Sequence, residues 1–132
     1  MAFSPKRFRM RGQPTRQEQS KVYDERRGSA SARGYTHRWS KAAATFKTRH
    51  PLCLGCEAAG DVVAARLVDH VEPHRGDQDK FWDTSMWQPC CAWHHDVVKQ
   101  RLEQMWDRGE IGLPDLWLNS AVAVDLTHKL RA

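Results

Sequence analysis

Two short stretches decide the fold: residues 53–56 are Cys-Leu-Gly-Cys, and residues 91–94 are Cys-Ala-Trp-His. Each stretch offers two metal ligands separated by two residues, so each pair can supply two of the four ligands of a tetrahedral Zn²⁺ ion. The spacing Cys90-x3-His94 is also feasible, and spacing alone leaves open whether Cys90 or Cys91 binds. A closed four-ligand zinc leaves no position for chemistry, so catalysis would need other residues.

The size of the folded segment is the reason to expect a metal. Fewer than 80 residues lie between Tyr35 and Gly112, and one core of that size rarely supplies more than ~3–5 kcal/mol of stability. The cysteines could instead form disulfides or stay as buried thiols. Disulfides are disfavoured because the start of the chain does not resemble a secretory signal and cytosolic thiols stay reduced. The sequence therefore predicts a structural zinc ion in a cytoplasmic protein.

Length and composition limit the remaining possibilities. A chain of 132 residues allows one ordinary domain and excludes a large multidomain enzyme. No apolar run exceeds four residues, whereas a membrane-spanning helix needs roughly 20, so we expect a soluble protein without a membrane partner. Residues 1–50 hold 13 Lys and Arg against 3 Asp and Glu, and residues 51–132 hold 8 against 13. A basic front segment suits a polyanion such as DNA, although charge alone favours a solvated tail that maintains solubility.

Apolar spacing divides the chain into three parts. Residues 1–34 hold too little apolar material to fold alone and are predicted to be a disordered basic arm. Residues 35–112 form the predicted domain, with an amphipathic helix before Pro51, a strand or hairpin arm over Val62–Val68, and a helix over 94–106. Residues 113–132 show no clean period and could be an extra strand, an interaction segment or partly loose.

Three residues outside the zinc pairs carry reactive groups. Phosphodiester cleavage needs a divalent ion and a base near neutrality that activates water. Asp69 and His95 can supply ligands to such an ion, and His70 can supply the base. Each also has an ordinary structural explanation: Asp69 could cap a turn, His70 could be a core histidine, and His95 could support the zinc ligands. Because consecutive strand residues point to opposite faces, Asp69 and His70 can converge only if the chain departs from regular extension there.

The order of these elements resembles the small HNH nucleases of phages and prophages. The resemblance covers about Tyr35 to Glu110. It rests on the Cys-x2-Cys pair and on four further motifs, which are VDHVEPHRGD (68–77), FWD (81–83), WQ-x-C-C (87–91) and the HH that opens the helix (94–95). The resemblance implies an α+β chain with a zinc-braced ββα-metal fold, in which two strands and a helix enclose one catalytic divalent ion.

The resemblance also implies roles for individual residues. Asp69 matches the metal-binding acid, His70 the general base, and His95 the final metal-binding histidine, with Mg²⁺ or another ion such as Mn²⁺ between the acid and that histidine. The implied zinc ligands are Cys53, Cys56, Cys91 and His94, which favours Cys91 over Cys90. The implied contacts to DNA phosphates are His74 and Arg75 in the loop, with Arg38 and Lys41 on the first helix, although solvated loop residues are an equal alternative for the loop pair.

One position departs from the family in a way that bears on activity. The family's middle Asn, which fixes the loop and orients the base, falls on Met86, and a thioether cannot donate that hydrogen bond. Asp83, Ser85 or Gln88 could compensate. The implied function is a metal-dependent DNA endonuclease in a bacterial or phage-infected cell. The alternatives are a zinc-braced DNA-binding module that has lost cleavage, or a phage packaging accessory that binds the large terminase subunit.

Overall fold

A computed structural model of the chain describes Gly12, residues 16–19 and residues 34–131. The chain divides into two compact units, Met1–Arg33 and Gly34–Ala132. In the first unit, residues 16–19 form one helical turn. The predicted disorder of residues 1–34 otherwise falls almost entirely outside the described residues. The elements described below all belong to the second unit.

The second unit is a small mixed assembly of helices around a two-stranded sheet, which confirms the α+β prediction at that level. In chain order its elements are α1 (His37–Arg49), α2 (Leu54–Ala58), β1 (Leu67–His70), α3 (Gln78–Phe81), a 3-10 turn (Thr84–Met86), β2 (Trp87–Cys90), a π-helical segment (His94–Lys99) that continues as α4 (Gln100–Asp107), a second 3-10 turn (Leu113–Leu116) and α5 (Ala121–Arg131). Within the described part of the chain, no helix has the length and apolar character needed to cross a bilayer.

Helix α1 ends where its sequence predicts, and a capping hydroxyl marks its start. The Thr36 hydroxyl accepts a hydrogen bond from the backbone N–H of Trp39, which caps the first turn. The helix ends at Arg49, just before Pro51, because proline cannot continue the hydrogen-bonding pattern. Trp39 and Phe46 are half-buried on one side of the helix. That side packs against β1, so α1 covers the sheet with an aromatic face.

Strand β1 is shorter than the predicted Val62–Val68 strand and lies further along the chain. It pairs antiparallel with β2, and the pairs include Leu67 with Cys90 and His70 with Trp87. Residues 63–65 are instead hydrogen-bonded to the chain around Pro51 and Cys53. The segment Val62–Val68 therefore pairs first with the chain around Pro51 and Cys53 and then with β2. Only its last two residues belong to the sheet.

The predicted second helix is present, and it opens in an unusual geometry. Its first six residues, His94–Lys99, are π-helical before α4 continues to Asp107. Val98 and Leu102 are fully buried along it. A π-helical turn shifts the angular positions of side chains relative to an α-helix and is frequent at functional sites. It sets the orientation of the two consecutive histidines that open the helix.

Residues 113–131 are part of the core rather than an extra strand or a loose segment. Leu116 and Leu118 are fully buried, and α5 packs against the π-helical segment and α2. The side chain of Gln88 ties this segment to the sheet, because it accepts from the N–H of Leu118 and donates to the carbonyl of Leu116. The weak apolar period of the segment reflects a short helix that buries only part of its surface.

Candidate functional site

Four side chains converge where α2, the start of the π-helical segment and α5 meet. The ligand atoms of Cys53, Cys56, Cys91 and His94 lie within 4.8 Å of one another, and all four residues are buried. Cys56 Sγ and Cys91 Sγ are 3.8 Å apart, and His94 Nδ1 lies 3.4–3.6 Å from the three sulfur atoms. Tetrahedral zinc with bonds of about 2.3 Å to sulfur and 2.0–2.1 Å to nitrogen needs separations of about 3.8 and 3.6 Å. This Cys3His group could therefore hold a zinc ion.

The structure distinguishes the two neighbouring cysteines that spacing left open. Cys91 belongs to the Cys3His group, whereas Cys90 ends β2 opposite Leu67 and lies outside it. Cys90 is fully buried, and that burial raises the pKa of its thiol. Cys90 therefore has the environment of an inert core thiol.

Hydrogen bonds determine which nitrogen of His94 faces the sulfur atoms. The Thr127 hydroxyl donates to the Ala123 carbonyl at 2.8 Å, so it is an acceptor for the His94 Nε2–H at 3.1 Å. This tautomer leaves Nδ1 unprotonated toward the three sulfur atoms. Burial also lowers the pKa of His94 to about 4. His94 is therefore neutral at neutral pH, as a metal ligand must be.

A cation borders the same group. Arg131 Nη2 donates to Cys56 Sγ at 3.2 Å, and the guanidinium lies over the Trp93 ring at 4.4 Å. Burial raises the pKa of the Cys56 thiol to about 12, and the bond from Arg131 opposes that rise. An ion must therefore displace a proton from Cys56, so its affinity falls as the pH falls. Arg131 offsets part of the negative charge that three thiolates would bring together.

A separate cavity of about 280 Å³ brings the second set of predicted residues together. It lies near the end of β1, where the chain continues into the loop. The residues that line it are Tyr35, Asp69, His70, Pro73, His74, Arg75, His95 and Glu103. Asp69 and His70 are consecutive in regular β1, yet both reach this cavity. The departure from extension that their convergence was expected to require is therefore not needed.

The two oxygens of Asp69 have different surroundings. Oδ2 accepts from Gln88 Nε2 at 2.9 Å and lies 3.1 Å from Lys99 Nζ, whereas Oδ1 lies 3.8 Å from His95 Nε2. His95 Nδ1 is 2.8 Å from an Asp96 carboxylate oxygen, which can only accept, so Nδ1 carries a proton and, in the neutral ring, Nε2 is an acceptor. Two ligand atoms that share one ion at bonds of about 2.1 Å can be at most about 4.2 Å apart. One divalent ion could therefore contact both Asp69 Oδ1 and His95 Nε2.

His70 is oriented by the backbone and by aromatic packing. Its Nε2–H donates to the Phe81 carbonyl at 3.0 Å, which leaves Nδ1 unprotonated. Its ring stacks on Trp39 with centroids 4.9 Å apart. Burial lowers the pKa of His70, so the neutral imidazole predominates at neutral pH. A neutral imidazole with one open nitrogen can accept a proton.

The loop around Met86 is held by other groups than a middle Asn. The Met86 side chain is half-buried and packs against the core. The Asp83 carboxylate caps the 3-10 turn by accepting from the N–H of Ser85, and the Phe81 carbonyl accepts from both His70 and Trp87. Gln88 contacts Asp69 rather than His70. Asp83 and Ser85 therefore fix the loop, while the Phe81 carbonyl orients His70.

The four predicted phosphate contacts separate into two groups. His74 and Arg75 line the cavity, with His74 Nδ1 accepting from the N–H of Gly76 and Arg75 paired with exposed Asp107 at 3.0 Å. Arg38 and Lys41 lie on the exposed part of α1 and do not line this cavity. Exposed ion pairs contribute little stability, so Arg75 could exchange Asp107 for a phosphate.

Sequence reasoning missed Lys99, a buried residue whose ammonium contacts Asp69, one of the residues that line the cavity. The Lys99 side chain is 1% exposed, and its ammonium lies within 3.1 Å of acceptors on three residues, Asp69, His70 and Glu103. Lys99 follows His95 by four residues on the same helix, and this spacing was the available signal. Thr127 and Arg131 had no such signal, because they approach the Cys3His group only through the packing of α5.

Comparison with known proteins adds no further assignment: no family model matches the chain, and no curated protein or solved structure matches it significantly.

Proposed function

We propose that the chain is a metal-dependent DNA endonuclease. The observation that supports this best is the single cavity that Asp69, His70 and His95 share, separate from the buried Cys3His group. A neutral imidazole beside a carboxylate and a second imidazole meets the needs of phosphodiester hydrolysis. The ββα-metal fold is part of the same proposal, and two strands followed by a helix are compatible with it.

The proposed reaction assigns one task to each group. His70 Nδ1 takes a proton from water as the water oxygen attacks phosphorus and the bond to the 3′ oxygen breaks. The departing 3′ oxygen takes a proton from solvent, which leaves a 3′-hydroxyl and a 5′-phosphate. Asp69 and His95 would hold Mg²⁺ or Mn²⁺, which supplies positive charge for the leaving oxygen and the phosphate. Lys99 and Gln88 keep Asp69 in place.

The proposed substrate follows from charge. Arg75 and His74 at the cavity, and Arg38 and Lys41 on α1, would contact the backbone phosphates of DNA. Such contacts carry affinity with little sequence reading. They also predict binding that weakens steeply with salt.

Plasmid nicking tests the proposal directly. Zinc-loaded protein with added Mg²⁺ or Mn²⁺ should nick supercoiled DNA, and His70→Ala should lower the rate by about 100-fold or more. His128→Ala, which changes an exposed histidine on α5, is the matched control and should keep full activity. Zinc content of one ion per chain in all three proteins verifies folding. Equal nicking by the wild type and His70→Ala would eliminate the assigned base.

Met86 favours a second candidate function, a zinc-braced DNA-binding module without cleavage. Its thioether packs against the core and offers no hydrogen bond to the site. This candidate predicts DNA binding with no nicking under any divalent ion, and nicking only after Met86→Asn.

A packaging role with the large terminase subunit remains a prediction, and copurification of the two proteins would test it.

A further inference from the structure

A second and larger cavity lies beside the proposed active site. It measures about 550 Å³, against about 280 Å³ for the cavity at His70. It lies between α1 and the segment that leads into β2. The residues that line it are Arg38, Ala42, Thr45, Phe46, Arg49, His50, Trp82, Thr84 and Trp87.

This cavity combines aromatic walls with basic side chains. Phe46, Trp82 and Trp87 supply rings, and the exposed side chains of Arg38 and Arg49 supply positive charge. The Arg38 guanidinium lies over the Trp82 ring at 4.0 Å. Among the described residues that line the cavity, none is a carboxylate. The lining therefore complements a flat, apolar group that carries a negative charge.

A nucleotide has this combination of features. Bases stack on aromatic side chains and on arginine guanidinium planes, while phosphates pair with arginine. A base inside a duplex cannot expose its face to such a wall, whereas an unpaired base can. We propose that this cavity binds one unpaired nucleotide of a DNA strand, with its base against Trp82 and Phe46 and its phosphate at Arg49.

The position of the cavity links it to cleavage. Trp39 stacks on His70 at 4.9 Å and meets Trp87 edge-on at 5.0 Å, and the ring centroids of His70 and Trp87 are 6.3 Å apart. One aromatic layer therefore separates the two cavities. This part of the inference rests on the proposed function: a nucleotide held here would neighbour the cleaved phosphate, and the substrate would be DNA that is single-stranded or locally unpaired.

A binding assay without Mg²⁺ or Mn²⁺ tests the site independently of cleavage. The zinc-loaded full chain is titrated into a fluorescein-labelled single-stranded oligothymidylate, an abasic strand of equal length and a matched duplex, with anisotropy as the readout. The oligothymidylate should bind at least about fivefold more tightly than the abasic strand, because only it offers bases to stack. The duplex should bind no more tightly than the abasic strand.

Two variants separate stacking from charge. Trp82→Ala should abolish the preference for bases over the abasic strand, and Arg49→Gln should weaken both strands together. Arg101→Gln, which changes an exposed arginine on α4, is the control and should leave both the affinity for each strand and the preference unchanged. Zinc content verifies that each variant is folded. If Trp82→Ala does not fold, Arg49→Gln still tests the site, because unchanged affinity for both strands in that variant would overturn it.

The outcomes distinguish this site from the proposed nuclease activity. Equal affinity for both single strands in the wild type, or an unchanged preference in Trp82→Ala, would overturn the nucleotide site even if plasmid is nicked. A base preference that Trp82→Ala removes would support it even if no nicking occurs. Self-association of the chain through this face, blocked by Trp82→Ala and unaffected by oligonucleotide, would also overturn it.

Discussion

Thr127 fixes the tautomer of His94 through one hydroxyl group. That hydroxyl accepts from Nε2–H while donating to a backbone carbonyl. Groups that hold metal-binding histidines in this way typically contribute 10–100-fold to metal affinity. Thr127 thus bears on zinc affinity although it is not a ligand.

Replacing Thr127 by Val should therefore weaken zinc binding by about 10–100-fold. The buried Nε2–H would lose its acceptor, and the ring would lose its orientation. Thr48→Val is the matched control, because the exposed Thr48 makes the same bond to a helix carbonyl, at 3.0 Å to Ala44, without a histidine partner. Competition with a chromophoric chelator gives both affinities. Equal zinc affinity in the two variants would show that Thr127 does not position His94.

Lys99 is the buried cation on which Asp69 depends. Lys99→Met should lower the free energy of unfolding of the zinc-loaded protein by about 3 kcal/mol, because Asp69 and Glu103 would keep their charges without this partner. Lys129→Met removes an exposed pair with Asp125 and should cost less than about 1 kcal/mol. Urea denaturation compares the two. A loss as small for Lys99→Met as for Lys129→Met would contradict the supporting role.

Residues of the site differ in how far the sequence could predict them. The Cys3His group was predictable because each pair of ligands lies within four residues, where spacing alone limits geometry. Thr127 and Arg131 were not, since α5 brings them to the group from more than 30 residues away. The choice between Cys90 and Cys91 depended on where β2 ends, which spacing does not specify.

Among the elements, α2 and the π-helical segment pack so closely that only glycine fits between them. A Cβ at Gly55 would overlap the His94 imidazole, with Nε2 only 2.5 Å away. Gly55→Ala should therefore lower the free energy of unfolding by about 3 kcal/mol and reduce zinc content.

The control for that change is Gly112→Ala. There an added Cβ would meet its nearest neighbour, Pro114 Cδ, at an ordinary 3.6 Å. Its stability should stay within about 0.5 kcal/mol of the wild type. Thermal unfolding with zinc determination measures both variants, and a Gly55→Ala protein with normal zinc content and stability would refute the packing argument.

Elements whose own residues carry a strong pattern were predictable. Elements whose bounds depend on pairing or packing with another part of the chain were not. Helix α1 has an apolar face and a following proline, and it ends where these signals predict. Strand β1 could not be bounded from its β-branched residues, because its length depends on where β2 pairs with it. Helix α5 gave no clear signal, since only Ala123 and Thr127 are buried along it.

At the scale of the molecule, the second unit separates a closed structural site from an open cavity. The Cys3His group joins α2, the π-helical segment and α5 in the interior. The cavity with Asp69, His70 and His95 opens to solvent near the end of β1. The two sites share the π-helical segment. Its first residue, His94, belongs to the Cys3His group, and its second, His95, lines the cavity. Zinc would thus hold the segment that positions His95.

We propose that His95 serves a second, exchangeable ion while its neighbour His94 serves zinc. The most direct test is the Mn²⁺ concentration needed for half-maximal plasmid nicking, compared between the wild type and His95→Ala with zinc content measured on the same samples. We expect at least about a tenfold higher Mn²⁺ requirement in His95→Ala, with one zinc ion per chain in both proteins. An unchanged Mn²⁺ requirement, loss of zinc from His95→Ala, or no nicking by the wild type would contradict it.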